Sequence, residues 1–162
     1  MSKILIVYYS RTGVTKKVAD TIREKLNADI EEMISIKDRS GIMGYIFCGK
    51  EATQKTLAEI KPITKNLSDY DLVVIGTPVW AWNISSPIRT FLENNKGKFK
   101  KLAAFCTMGG SGDEKSFAEM EKICNIKLGA KLSLKEKEVQ SDYFKEKVES
   151  YCRALPKLSC PS

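Results

Sequence analysis

The stretch that most constrains the fold is residues 4–15 (ILIVYYSRTGVT), where an apolar run stops at hydroxyl side chains, an Arg and a Gly. Residues 4–7 are mostly β-branched and show no alternation of apolar and polar side chains. This pattern is typical of a parallel strand that is buried on both faces. Because such a strand needs helices on both sides of its sheet, the sequence predicts an α/β fold.

The residues that follow this strand are suited to an anion. Three hydroxyls lie within six residues, at Ser10, Thr12 and Thr15. Gly13 lets the backbone approach a ligand closely, and a helical period begins at Val14. A helix N-terminus has unpaired N–H donors and a partial positive charge, so a phosphate is the natural ligand. The alternative is an ordinary Ser or Thr helix cap with nothing bound.

Several kinds of phosphate site are excluded. The stretch contains neither the G-x-G-x-x-G of a dinucleotide site nor the G-x-x-x-x-G-K-[ST] of a Walker loop. It has no Cys for a phosphatase nucleophile, and no acidic residue ends the strand as a phosphorylated receiver domain would need. A phosphate monoester therefore fits better than a pyrophosphate or a triphosphate.

Length and composition predict one domain, over residues 1–155, followed by a short C-terminal tail at 156–162. The five Cys form no C-x-x-C and the chain has no His, so we expect no disulfide framework and no metal site. Reduced thiols favour the cytoplasm. We see no hydrophobic leader, and no apolar run approaches the ~20 residues of a membrane span.

The formal net charge is +7, and four Lys cluster within residues 96–101. Such a cluster usually belongs to a solvated loop. No nucleic-acid motif accompanies it, so nucleic acid is not an expected partner. The positive charge would still attract anionic ligands or acidic proteins.

The first half of the chain predicts a helix over 14–26 and an exposed edge strand over 28–36, where polar and apolar side chains alternate. Residues 40–57 indicate a loop that enters a helix. This segment is either a lid over a site or an ordinary crossover that buries Ile46 and Phe47, and we favour the crossover.

The second half predicts buried strands at 71–76 and 101–108, each followed by an unusual loop. Trp80 and Trp82 lie in the first loop, where aromatic rings are costly to expose unless they stack on a planar ligand. The alternative is that they pack on the next helix, which Ser85, Ser86 and Pro87 begin. The second loop, 109–112, is rich in Gly, and Asp113 is expected to cap a helix after it. An edge strand over 130–139 and a helix over 141–155 complete the chain.

This alternation predicts a five-stranded parallel sheet of order 2-1-3-4-5 with helices on both faces, a three-layer arrangement. In that order the loops after strands one, three and four meet at the switch point. The loop after strand one offers a phosphate cradle. The loop after strand three offers aromatic rings, and the loop after strand four offers a glycine-rich edge. Their shared ligand should be a phosphorylated planar heterocycle.

Over nearly its whole length the sequence resembles the flavodoxin-like family of FMN-binding proteins, through YYSRTGVTKKVA, YDLVVIGTPVWAWNISSPIRTFL and FCTMGGSG. The resemblance implies FMN as cofactor and the flavodoxin-like fold. It implies that the FMN phosphate is held by Ser10, Arg11, Thr12, Gly13, Val14 and Thr15. It implies that the isoalloxazine is flanked by Pro78, Val79, Trp80, Ala81, Trp82 and Asn83, and met on its other side by Thr107, Met108, Gly109, Gly110 and Gly112.

Three features differ from the carrier flavodoxins that this chain resembles. Carriers usually have a second aromatic ring after the fourth strand, where this chain has Met108 and glycines, so one flavin face is expected to be open. Carriers are usually acidic, whereas this chain is basic. Carriers usually have Gly after the stacking aromatic, and Ala81 is expected to resist the positive φ that Gly adopts cheaply.

Two functions follow from the resemblance. A carrier would pass electrons between redox partner proteins. An enzyme would take hydride from NAD(P)H and reduce a quinone or similar small acceptor at the open face. A non-redox phosphoryl-binding domain of the same fold is a third possibility. No residue is an evident general acid or base, so the catalytic residues are unknown, and both a monomer and a homodimer are compatible with the sequence.

Overall fold

The computed structural model describes residues 2–157, and in this range a mixed sheet lies between two layers of helices. Its strands are β1 Ile4–Tyr8, β2 Asp29–Glu32, β3 Leu72–Trp80, β4 Asn83–Ile84, β5 Leu102–Met108 and β6 Leu128–Lys135. Its helices are α1 Val14–Leu26, α2 Gly41–Gln54, α3 Ser86–Asn95, α4 Asp113–Cys124, α5 Glu136–Gln140 and α6 Phe144–Ala154. A 3-10 turn at Leu67–Asp69 precedes β3.

The main strands follow the order β2-β1-β3-β5-β6, and all neighbours along this path are parallel. The predicted order is therefore confirmed, with one added element. The two-residue strand β4 pairs antiparallel with the end of β3, which continues to Trp80 rather than stopping at Gly76. β3 is longer than predicted because Thr77 and Pro78 continue its pairing with β5, and the short hairpin supplies partners for its last two residues.

Two hydrophobic cores cover the two faces of the sheet. Leu5 and Val7 of β1 belong to the core under α2, α3 and α4, whereas Ile6 and Tyr8 belong to the core under α1 and α6. Successive side chains of a strand point to opposite faces. Every residue in the middle of β1 is therefore apolar, which is why its sequence shows no alternation.

The structure corrects the interpretation of residues 40–57. The expected entry loop is wrong, since α2 begins at once with Gly41. Gly44 is required inside this helix because a Cβ there would lie 2.1 Å from the carbonyl oxygen of Arg39. The expected burial of Ile46 is also wrong, since 59% of this residue is exposed, and Phe47 is only half-buried.

A buried ion pair anchors α2. Two nitrogens of the Arg39 guanidinium donate to the Glu51 carboxylate at 3.0–3.1 Å, and both side chains are almost fully buried. The hydroxyl of Ser86, at the start of α3, donates to the same carboxylate at 2.8 Å. Since a buried charge is tolerated only when it is paired and hydrogen-bonded, this cluster fixes α2 against α3.

Other boundaries differ by a few residues from the prediction. The edge strand near residue 30 is shorter, and the last strand begins earlier and gives way to α5. Gly112, not Asp113, is the N-cap of α4, and the Asp113 carboxylate accepts a hydrogen bond from the Ser133 hydroxyl at 2.6 Å. Most of the expected tail, 158–162, lies outside the described residues.

Four cysteines lie in the described part of the chain, and all four are free thiols: Cys48, Cys106, Cys124 and Cys152. Cys160 is outside it. Among the helices of residues 2–157, none is both long and apolar enough to cross a membrane.

We expect Glu51→Gln to lower the free energy of unfolding by about 3–5 kcal/mol, because it leaves the Arg39 charge buried without its counter-charge. Urea unfolding of the purified protein measures this loss. As a matched control, Glu93→Gln removes the exposed pair with Lys96, which should cost only about 0–1 kcal/mol. Equal losses in the two variants would show that the buried pair does not anchor the helix.

Candidate functional site

The site lies where β1, β3 and β5 end. The parallel register places Tyr8 beside Gly76 and Pro78 beside Thr107, so the three loops that follow these strands are neighbours. The hydroxyls of Thr15 and Thr107 are 2.8 Å apart and join the start of α1, just after the first loop, to the end of β5. The expected meeting of the three loops is thus present.

The first loop, residues 9–13, leads into α1 and leaves donors open. The Ser10 hydroxyl accepts hydrogen bonds from the backbone N–H groups of Gly13 at 3.0 Å and Lys16 at 3.2 Å, as a helix cap does. Within residues 2–157, no acceptor pairs with the backbone N–H groups of Thr12, Val14 and Thr15. Three N–H donors at a helix N-terminus remain available to an anion.

The side chains of this loop divide into exposed and engaged groups. Thr12 is exposed, and its hydroxyl is not used by any other residue in the described part of the chain. Thr15 is buried, and its hydroxyl is bonded to that of Thr107. The Arg11 guanidinium donates to two backbone carbonyls near the start of α2. The Arg11 side chain therefore extends away from the cradle and toward the start of α2.

The second loop is a tight hairpin between β3 and β4. Its two central residues, Ala81 and Trp82, both have positive φ, at 45° and 61°, as a type I′ turn requires. Ala81 thus already has the positive φ that its Cβ was expected to make costly. The hairpin pairing imposes this conformation despite the Cβ, and Gly112 allows it, since a Cβ there would lie 2.7 Å from Cα of Trp82.

A cavity of about 450 Å³ lies between this hairpin, the glycine-rich loop and α2. It is lined by Tyr45, Ile46, Gly49, Val79, Trp80, Ala81, Trp82, Met108, Gly109, Gly110 and Ser111. Seven of these residues were expected from the sequence. Ser111 lies inside the expected glycine-rich loop. The sequence did not indicate Tyr45, Ile46 and Gly49 of α2 as site residues, although a lid was one of the two interpretations of residues 40–57.

Other expected residues support the cavity instead of lining it. Asn83 is buried, and its amide oxygen accepts hydrogen bonds from Arg89 at 3.1 Å and from the backbone N–H of Ile84 at 2.9 Å. Pro78, Thr107 and Gly112 are likewise absent from the lining. The Thr107 hydroxyl is bonded to that of Thr15, and the backbone of Gly112 lies close to Trp82, so these two residues support β5 and the hairpin.

The two Trp residues occupy different environments. Trp80 is only 8% exposed and contacts Tyr9 edge to face, with ring centroids 5.5 Å apart. Trp82 is 62% exposed, and its indole N–H donates to the Ser111 hydroxyl at 3.3 Å. Packing against Tyr9 thus covers part of the Trp80 ring, whereas the Trp82 ring is exposed to solvent at the edge of the cavity.

Acid–base groups are scarce here. Burial raises the pKa of Tyr9 to about 12, and burial also raises the pKa of the Cys106 thiol to about 12. Both groups are neutral near pH 7, and the fully buried Cys106 packs as a small hydrophobe. Among the residues that line the cavity, Tyr45 alone is titratable. The cavity can bind and orient a flat group, but it supplies no charged acid or base.

No group of three or more His, Cys, Asp or Glu side chains within the described residues is arranged to hold a metal ion.

Comparison with known proteins relates this geometry to a family. The family model for NADPH-dependent FMN reductases matches residues 2–132, a range that contains all three loops. A flavoprotein from Lactobacillus acidophilus, solved in complex with FMN, is 24% identical, with 87% of this chain and 98% of that chain covered and a TM-score of 0.71. Oxidised flavodoxin 2 from Bacillus cereus is 20% identical, with 94% and 97% covered and a TM-score of 0.57.

At these identities the two structures establish the fold, and the family model adds the function. The chain belongs to the NADPH-dependent FMN reductase family and is a flavodoxin-like, FMN-binding redox protein.

Proposed function

We propose that the protein is an FMN-dependent oxidoreductase that takes hydride from NADPH or NADH and delivers two electrons to a quinone or similar small acceptor. The observation that carries this proposal is the open wall after β5. A Cβ built on Gly109 or Gly110 would meet no atom within 4 Å, and both residues are exposed. There is room beside the cavity for a second flat molecule.

The residues present fit FMN. The free N–H groups of Thr12, Val14 and Thr15, with the exposed Thr12 hydroxyl, suit a phosphate monoester. The apolar cavity is within the usual volume range of small-molecule sites. Val79, Trp80 and Trp82 would contact one side of the ring system, and Met108, Gly109 and Gly110 the other.

Bound FMN would supply the redox chemistry, since it accepts and donates two electrons. In the overall reaction NAD(P)H loses a hydride and becomes NAD(P)⁺. A quinone gains the two electrons and two protons and becomes a hydroquinone, with the second proton coming from water. The protein's part is to hold the reacting rings in contact, because the residues that line the cavity supply no charged acid or base.

A carrier that passes electrons between proteins is the second candidate. It is favoured by the exposed apolar side chains of α2 beside the cavity, among them Ile42, Met43 and Tyr45. Such side chains suit a protein partner that docks near the cofactor. The two candidates differ in whether NAD(P)H alone reduces the holoprotein.

We also propose a cytoplasmic location, since the thiols at Cys48, Cys106, Cys124 and Cys152 are free and fit a reducing compartment. The choice between monomer and homodimer stays open.

Anaerobic mixing of the holoprotein with NADPH or NADH tests the enzyme. We expect loss of the yellow flavin absorbance, and recovery of the colour when a quinone is added. Gly110→Tyr fills the open wall, so it should slow the NAD(P)H reaction roughly tenfold or more. Because Gly110 also lines the ring cavity, the rate is measured at an FMN concentration that saturates the variant. Reduction by dithionite but not by NAD(P)H would favour the carrier instead.

Thr12→Ala tests the cradle. Because it removes a hydroxyl that can donate to a phosphate oxygen, we expect FMN to bind about tenfold more weakly and riboflavin to be unaffected. Titration of the apoprotein with each flavin measures both constants. If wild-type protein binds FMN and riboflavin equally well, these residues do not hold a phosphate.

Trp82→Ala tests the ring contact. The exposed indole should cover the bound isoalloxazine, so its loss should weaken FMN and riboflavin alike, by about 1–3 kcal/mol. Trp82→Phe keeps an aromatic face and should recover much of the loss. Unchanged affinities in the Ala variant, with a large loss in Trp80→Phe, would assign the contact to Trp80.

A further inference from the structure

Arg11 belongs to the cradle loop by sequence, but its guanidinium contacts α2. Nε donates to the Arg39 carbonyl at 2.9 Å, and Nη2 donates to the Gly41 carbonyl at 2.8 Å. These two carbonyls stand on either side of Ser40, the N-cap of α2. One planar group therefore holds the chain just before and just after the helix begins.

The same guanidinium reaches a residue that lines the cavity. Its carbon lies 5.7 Å from the centroid of the Tyr45 ring, within the range of a cation–π contact. Tyr45, the adjacent Ile46 and Gly49 one turn later form the α2 wall of the cavity. Arg11 thus connects the loop proposed to bind phosphate with the wall proposed to face the ring.

The start of α2 has few other anchors. The Ser40 side chain makes no capping hydrogen bond, and Ile42 and Met43 are 80% and 77% exposed. The ion pair of Arg39 with Glu51 joins the residue before Ser40 to the far end of the helix, where Ser86 also donates to Glu51. The first turns of α2, which carry the cavity wall, are therefore held by Arg39 from their own segment and by Arg11 from the cradle loop.

We infer that Arg11 is a positioning residue that holds α2 as the wall of the ring cavity, and is not a ligand of the phosphate. The inference rests on the proposed placement of FMN and assigns Arg11 a different task from Thr12. Arg11 should matter equally for FMN and riboflavin, since it acts on the ring cavity. A Lys should not replace it, because one ammonium group lacks the planar fork that reaches two carbonyls.

The test measures dissociation constants of FMN and riboflavin for wild type, Arg11→Ala, Arg11→Lys and Thr12→Ala. We expect both Arg11 variants to weaken both flavins by the same factor, roughly tenfold for the loss of two charge-assisted hydrogen bonds. Thr12→Ala should weaken FMN alone. A selective loss of FMN in Arg11→Ala, with recovery in Arg11→Lys, would make Arg11 a phosphate ligand and overturn the inference.

Hydrogen exchange in the flavin-free protein separates this inference from the proposed placement of FMN. We expect amides of residues 41–46 to exchange faster in Arg11→Ala and at the wild-type rate in Thr12→Ala, while the Glu51 end of α2 stays protected. Unchanged exchange in Arg11→Ala would overturn the inference. If Thr12→Ala fails to distinguish the two flavins, the phosphate placement is wrong, and the exchange result still decides whether Arg11 holds α2.

Discussion

The burial of β1 on both faces is the constraint on which the rest of the structure depends. Leu5 and Val7 enter one core and Ile6 enters the other, so β1 occupies the interior of the sheet with helices above and below it. Its parallel neighbours β2 and β3 then require crossovers on opposite sides. That reversal of direction brings the loops after β1, β3 and β5 together and creates the crevice in which the site lies.

The site combines a rigid part with a part held by a few polar contacts. The cradle and the β5 loop are tied together through the hydroxyls of Thr15 and Thr107, and both follow buried strands. The α2 wall instead depends on the Arg39–Glu51 pair and on Arg11. This division agrees with the proposed function, in which the protein binds a cofactor and admits a second molecule beside it.

The chemistry of the cavity is that of a binding surface. Its lining is aromatic, aliphatic or glycine, apart from Ser111 and the Tyr45 hydroxyl, and burial raises the pKa of the nearby Tyr9. The cradle supplies partial positive charge, through N–H donors at the start of α1. A ligand with a flat apolar body and an anionic tail is complementary to both parts, and FMN has this form.

The sequence by itself determined the individual strands, the helices and the three loops of the site, since each depends on a pattern within about ten neighbouring residues. The layer architecture and the strand order followed from the alternation of these elements along the chain. The apolar run before Ser10 and the glycines at 109–112 are of this kind. Only the tertiary structure decided the role of α2, the partners of Arg11 and the turn at Ala81. Those depend on contacts between residues distant in sequence, such as Arg11 with the carbonyl of Gly41 and Gly112 with Trp82, and no local pattern encodes them.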